Sequence, residues 1–211
     1  MTTLILTSPI EQSFLAARRA SGLDRFDEVW EGVYVVSPDP SFEHQRIVMQ
    51  LATILDQVVR LELKGEVFPG CNVSDRDEDW EKNYRCPDVA AFLPGNPAIM
   101  RAAHSVGGPD FAVEIASPND RTWDKLTFYA QVKTREVLVV DRDPWQLTLL
   151  ACDSAEMKEI GTSTQVNNRA VFSQVLPLSF RLVWQEGKPE IEVRHVHDGR
   201  IWHAHAVGKI G

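Results

Sequence analysis

The run Phe111-Ala-Val-Glu-Ile-Ala116 is apolar throughout except for one carboxylate, Glu114, at its centre. Its composition reads as a β-strand buried in a sheet, and a charge inside such a strand is costly unless something pairs with it. Side chains alternate along a strand, so Phe111, Val113 and Ile115 point one way and Ala112, Glu114 and Ala116 the other. Glu114 therefore shares its face with alanines alone, which leaves room for an ion and a substrate. A second run, Arg85-Cys-Pro-Asp-Val-Ala-Ala-Phe-Leu93, carries Asp88. If the two strands are neighbours, Asp88 and Glu114 can share a divalent cation, with water completing an octahedron.

The rest of the chain is read around this pair. Ser13 to Ser21 read as a short helix ended by Gly22, and Glu28 to Val36 as a bent strand pair about Gly32. Asp39-Pro40 is expected to cap the next helix, with proline at its first position. That helix sets Ile47, Val48, Leu51, Ile54, Leu55, Val58 and Val59 on one face and should stop before Gly65. Glu66 to Val73 read as a strand, and the acidic stretch 75–81 as a solvated loop. After the strands at 85–93 and 110–116, Pro118 stops the second and Asn119 or Asp120 can cap a helix over Trp123 to Val132. Strands at 136–141 and 146–151 flank a turn at Pro144, and a hairpin about Asp198-Gly199 closes the chain over 191–207. This order, without repeats or low-complexity linkers, predicts an α/β sandwich with a mixed sheet flanked by helices. We read residues 1–211 as one domain, with a core over about 26–185 and residues 186–211 as the hairpin extension.

Composition narrows the function. Net charge is −8, so non-specific adhesion to nucleic acid has no support and any such role needs a local basic patch, a metal, or both. Arg76, Lys82, Arg85, Arg121 and Lys133 are the candidate phosphate contacts, and a homodimer could assemble a basic cleft. Cys71, Cys86 and Cys152 are isolated, as expected for reduced thiols. The N-terminal stretch lacks a basic region and a long apolar segment, and no run approaches the roughly 20 apolar residues of a membrane span. The expected location is the cytoplasm.

Lys125 follows the Glu114 strand, and Tyr129 lies one turn further on the same face. A cation there could orient an attacking water or meet developing charge. His44 opens the apolar stripe of Val48, Leu51 and Leu55. Four tail histidines, His195, His197, His203 and His205, raise a separate metal site. A two-residue turn would pair His195 with Trp202 and split the four between two faces, whereas a three- or five-residue loop would set His195 opposite His203.

The ordered set Cys-Pro-Asp88-Val-Ala, Pro-Asp-Phe-Ala-Val-Glu114-Ile-Ala-Ser-Pro118, Lys125 with Tyr129, and Val-Leu-Val-Val-Asp141 resembles the Uma-two family of restriction-endonuclease-like proteins, in the PD-(D/E)XK nuclease-like superfamily. The segment Glu28 to Pro38 and the helix opening near His44 also match, so the resemblance spans roughly residues 26 to 185. It implies a restriction-endonuclease-like fold and a DNA endonuclease using Mg²⁺ or Mn²⁺, with Asp88, Glu114 and the Ile115 carbonyl as metal ligands. The superfamily lysine lies two residues after the glutamate, where this chain has Ala116. The resemblance implies that Lys125 replaces it, with Glu28, Glu43, His44 and Tyr129 as supporting residues. A catalytically silent module of the same fold, binding nucleic acid or protein, is the alternative.

Overall fold

The computed structural model describes residues 4–6, 11–37, 39–117 and 121–206. Its centre is a six-stranded mixed sheet of β1 (Glu66–Pro69), β2 (Val89–Phe92), β3 (Phe111–Ile115), β4 (Glu136–Arg142), β5 (Trp145–Asp153) and β6 (Glu156–Thr164), in the order β6-β5-β4-β3-β2-β1. Only the β3–β4 pair is parallel, with Glu114 opposite Val139. Such strands are covered on both faces, which is why β2, β3 and β4 are nearly continuous apolar runs. Every residue of β3 is buried, Glu114 included. As alternation predicts, Phe111, Val113 and Ile115 join one core and Ala112 and Ala116 another on the opposite face.

The first core is closed by helix α2 (Phe42–Val59), after an N-terminal helix α1 (Glu11–Ser21), and by a four-stranded antiparallel sheet of 171–172, 178–185, 188–195 and 201–205. The apolar stripe of α2 is buried as expected apart from the half-buried Val48. Its start differs from the expectation. Ser41, not Asp39, is the N-cap, its hydroxyl accepting from the His44 N–H at 3.2 Å, and Asp39-Pro40 lies outside the helix. A serine immediately before the first helical residue meets the orphan N–H directly, and this places His44 in the first turn.

The second core is covered by helix α3 (Leu126–Gln131), where Phe128 and Tyr129 meet Ala112, Ala116, Val137 and Val139. The helix expected over 123–132 is shorter, because Thr122–Lys125 forms a 3₁₀ turn leading into it. Pro118, Asn119 and Asp120, expected to stop the strand and cap the helix, lie outside the described residues. Among those described, no helix is long and apolar enough to cross a membrane.

Two expected strands are divided between sheets, and both divisions shape the site. The 66–73 run breaks at Gly70, whose φ is +61°, so that 66–69 is β1 while Asn72–Ser74 joins a seven-stranded sheet that also contains Glu28–Trp30 and Val33–Val36. The 85–93 run breaks at Pro87-Asp88, leaving Tyr84–Arg85 in the seven-stranded sheet and 89–92 as β2. Proline has no N–H for a ladder. The Gly70 N–H donates to the Asp88 carbonyl at 3.1 Å, so the two crossings lie side by side.

The expected terminal hairpin forms the last two strands of the four-stranded sheet. Its turn spans four residues, 196–199, with Arg194 opposite Ile201 and Glu192 opposite His203, so neither anticipated register occurs. The extra residues arise because Asp198 folds back, its N–H meeting His195 Nδ1 at 3.3 Å.

Gly65 joins α2 to β1 where no side chain fits: an added Cβ would lie 2.3 Å from the Phe92 carbonyl oxygen and 2.9 Å from Val59 Cγ1. Replacing Gly65 by alanine should therefore cost about 1–3 kcal/mol of stability through overpacking, read as a lower urea midpoint with unchanged slope.

Candidate active site

Where the two strand crossings meet the C-terminal end of β3, a cleft of about 760 Å³ opens, lined among others by Glu28, His44, Asp88, Glu114, Ile115 and Lys125. At its base is an ion cluster. Lys125 Nζ donates to both oxygens of Glu114, at 2.9 and 3.1 Å, and lies 2.9 Å from Glu28 Oε1. The Tyr129 hydroxyl donates a short hydrogen bond to Glu114 Oε1. Glu28 is fixed from two further sides, accepting from the Cys86 N–H at 2.8 Å and from the Trp30 indole at 2.6 Å. Sequence position explains the convergence: Glu114 projects toward α3 by strand alternation, and the 3₁₀ turn swings Lys125 over it while Tyr129 follows one helical turn later.

Asp88 joins from the side. Its Oδ2 accepts from the Ile115 N–H at 2.7 Å, continuing the β2–β3 pairing where Pro87 ends the ladder, and its Oδ1 meets His44 Nε2 at 2.8 Å. Ile115, the last residue of β3, and the first turn of α2 are thus tied to one carboxylate. Arg142 staples the rim, donating to the Ala116 carbonyl, Ser117 Oγ, Ser41 Oγ and Glu43 Oε1. Glu43 is turned to Arg142 at the rim, away from the Lys125 cluster.

The electrostatics follow from burial. Glu114 is 2% exposed. Desolvation pushes its carboxyl above the usual range against the pull of Lys125, and Asp88 and Glu28 push the same way. Burial alone would lower Lys125, but Glu114, Glu28 and Asp88 together outweigh it and hold the ammonium charged. Burial, reinforced by Glu114 and Glu28, holds the Tyr129 phenol protonated. Cys86 lines the cleft, yet burial, with Glu28 adding to it, raises its thiol well above the ordinary value. It is no thiolate nucleophile.

The structure thus brings Glu28, Glu114, Lys125 and Tyr129 into one network, with Asp88 and His44 beside it. Lys125, on the segment after β3, reaches the Glu114 carboxylate, while Ala116 packs into the second core. Sequence reading passed over Trp30 and Arg142. Trp30 lies two residues from Glu28 on the same side of its strand, a spacing that could have flagged it, whereas the reach of Arg142 depends on three separate segments. Of the five proposed phosphate contacts, Arg121 lines the cleft. Arg85 is a correction: it is 5% exposed, bonded to the Val29 carbonyl and stacked over Trp30 and Phe128, because its guanidinium serves the core between the two sheets. Arg76 and Lys82 pair with Asp75 and Asp79.

The tail histidines do not gather. Among the described residues, one trio of metal-ligating types brings its atoms within 4.8 Å of one another: Glu62, His195 and Asp198. There the two carboxylates face different ring nitrogens, Glu62 at Nε2 and Asp198 at Nδ1, and Arg200 NH2 lies 2.6 Å from each carboxylate. This is an ion-pair knot joining the turn after α2 to the hairpin. His203 sits by Glu190 and His205 by Arg46.

A family model described as "Uma2: Putative restriction endonuclease" matches residues 16–184. Among solved structures, the chain is similar in fold to "a putative nuclease belonging to DUF820" from Anabaena variabilis ATCC 29413, with a TM-score of 0.57 and 18% identity over 70% of this chain and 80% of that one. No curated protein matches.

Two substitutions separate the charges. Lys125→Met leaves two buried carboxylates without their cation and should destabilise the metal-free protein by about 3–5 kcal/mol. Tyr129→Phe removes one hydrogen bond and should cost about 1–3 kcal/mol. Chemical denaturation in the presence of a chelator checks both values.

Proposed function

Since the chain belongs to the Uma2 family, whose description is "Putative restriction endonuclease", we propose that it is a divalent-metal-dependent endonuclease that hydrolyses phosphodiester bonds in DNA. The observation that carries this reading is the gathering of Asp88, Glu114, Glu28 and Lys125 at one end of a cleft in a nuclease-like fold. The donors there are carboxylate oxygens with the β3 backbone beside them, a set that suits hard cations such as Mg²⁺ or Mn²⁺ and not the soft thiolate ligation of zinc or copper. Asp88 and Glu114, with the Ile115 carbonyl, would hold the ion. Bound there, a divalent cation supplies charge stabilisation to a phosphoryl oxygen and activates water.

The chain's own residues prepare the ground. His44 and the Ile115 N–H fix the Asp88 carboxylate, and Tyr129 fixes Glu114, so that neither must reorganise when charge arrives. Lys125 holds its proton at Nζ, between Glu28 and Glu114, and supplies positive charge at the cleft floor where a phosphodiester would lie. Arg121, stacked 4.4 Å over the Trp30 ring and paired with Asp124, is the cleft's most direct phosphate contact. Arg142 keeps the α2 start against the end of β3.

Purified protein incubated with plasmid and single-stranded DNA should cut when Mg²⁺ or Mn²⁺ is present and stop when EDTA is added. Asp88→Asn and Glu114→Gln should each lower the rate by at least a hundredfold, and Lys125→Met should do the same even where metal restores its stability. Absence of cutting in the wild type, or cutting unchanged in Asp88→Asn and Glu114→Gln, would overturn the assignment; DNA binding without metal uptake would favour the catalytically silent module.

A further inference from the structure

The cleft is lined by apolar side chains as well as by the ion cluster. Phe26, Val48, Met49, Ala52, Pro69 and Gly70 form this apolar wall, and none of them takes part in the ion cluster. Phe26 is 40% exposed and Met49 60% exposed, so apolar surface faces the opening. The wall is joined to the carboxylates. An added Cβ on Gly70 would lie 2.8 Å from Phe26 Cε1, so the ring rests against bare backbone at that residue, and the Gly70 N–H donates to the carbonyl of Asp88. From the other side, Val48 and Ala52 follow His44 at four-residue spacing on α2, and His44 bonds Asp88. An aromatic ring and an aliphatic stripe therefore flank Asp88, the ring through Gly70 on its backbone carbonyl and the stripe through His44 on its carboxylate.

Charge lies at the edges of this wall. The Arg25 guanidinium sits 5.2 Å from the centre of the Phe26 ring, and Arg121 lines the same cleft. Duplex DNA would give such a wall nothing to bury, because its base faces are stacked inside and its phosphates are outermost. An unpaired nucleotide offers both a planar apolar face and a flanking phosphate, and aromatic platforms beside cationic groups are how single strands are held. A net charge of −8 also gives the protein no general attraction to a duplex backbone.

We infer that the apolar wall at Phe26 receives an unpaired base next to the phosphodiester at the ion cluster, so that the substrate is single-stranded DNA or an unpaired segment within a duplex. This rests on the nuclease reading for the phosphodiester, but the base platform is tested separately from cutting. A labelled 20-nucleotide single strand and the corresponding blunt duplex would be titrated by fluorescence anisotropy in Ca²⁺, with gels checking that both stay intact. The single strand should bind at least tenfold tighter than the duplex. Phe26→Ala should weaken single-strand binding by about tenfold, Phe26→Trp should retain it, and Mn²⁺ uptake by calorimetry should be unchanged in both variants, showing the ion cluster intact. Equal or tighter binding of the duplex, or single-strand affinity unaffected by Phe26→Ala, would overturn the inference. Duplex cutting independent of Phe26 would overturn it while leaving the nuclease reading in place; Phe26-dependent single-strand binding without cutting would uphold it and remove the nuclease reading.

Discussion

Everything at the cleft depends on one buried charge arrangement, the Lys125 ammonium held between Glu114 and Glu28. Two carboxylates in the interior would repel each other and pay heavily for lost water, and one ammonium between them offsets most of that cost. The arrangement explains why the central strand tolerates a glutamate, why the segment after β3 turns as 3₁₀ before entering α3, and why Glu28 is drawn inward from a different sheet. With Glu114 ionised, the cluster also carries an excess of negative charge, with Asp88 adding to it. That excess is what a divalent cation would neutralise.

The sheet crossings set where that charge lies. Chain passes between the central and seven-stranded sheets at Gly70 and again at Pro87-Asp88, and the backbone bond from Gly70 to Asp88 locks the two passages together. A strand that continued through residue 88 would have spent this backbone on a ladder and pointed the side chain into a sheet face. Breaking there frees Asp88 to accept from the next strand's Ile115 N–H and to meet His44 on α2. The site is thus assembled from irregularities in otherwise regular strands, each with a local cause: proline without a donor at 87, glycine at positive φ at 70.

Much of this was legible in the sequence because it rests on periodicity. Alternation placed Glu114 on the alanine face of its strand, and the 3.6-residue stripe located α2. Lys125 and Tyr129 were legible from their spacing after the strand. What escaped depended on contacts between distant segments. The strand break at Gly70 and the core role of Arg85 follow from which sheet each neighbour joins, and no local pattern announces that. The strands 156–164 and 178–185 carry polar residues on their exposed sides and went unread. The hairpin turn was recognised at Asp198-Gly199, but its length was set by Asp198 folding onto His195 and by Arg200 binding Glu62 in the turn after α2. The register, and with it the fate of the tail histidines, was decided by those contacts.

The central claim is that the Asp88 and Glu114 carboxylates form a cation site. It is tested most directly by crystals grown with Mn²⁺ and measured for its anomalous signal. The account predicts a peak about 2.1 Å from oxygens of both Asp88 and Glu114, with the Lys125 ammonium moved off at least one Glu114 oxygen. A peak only at Glu62, His195 and Asp198, or none at Asp88 and Glu114 at saturating Mn²⁺, would contradict it.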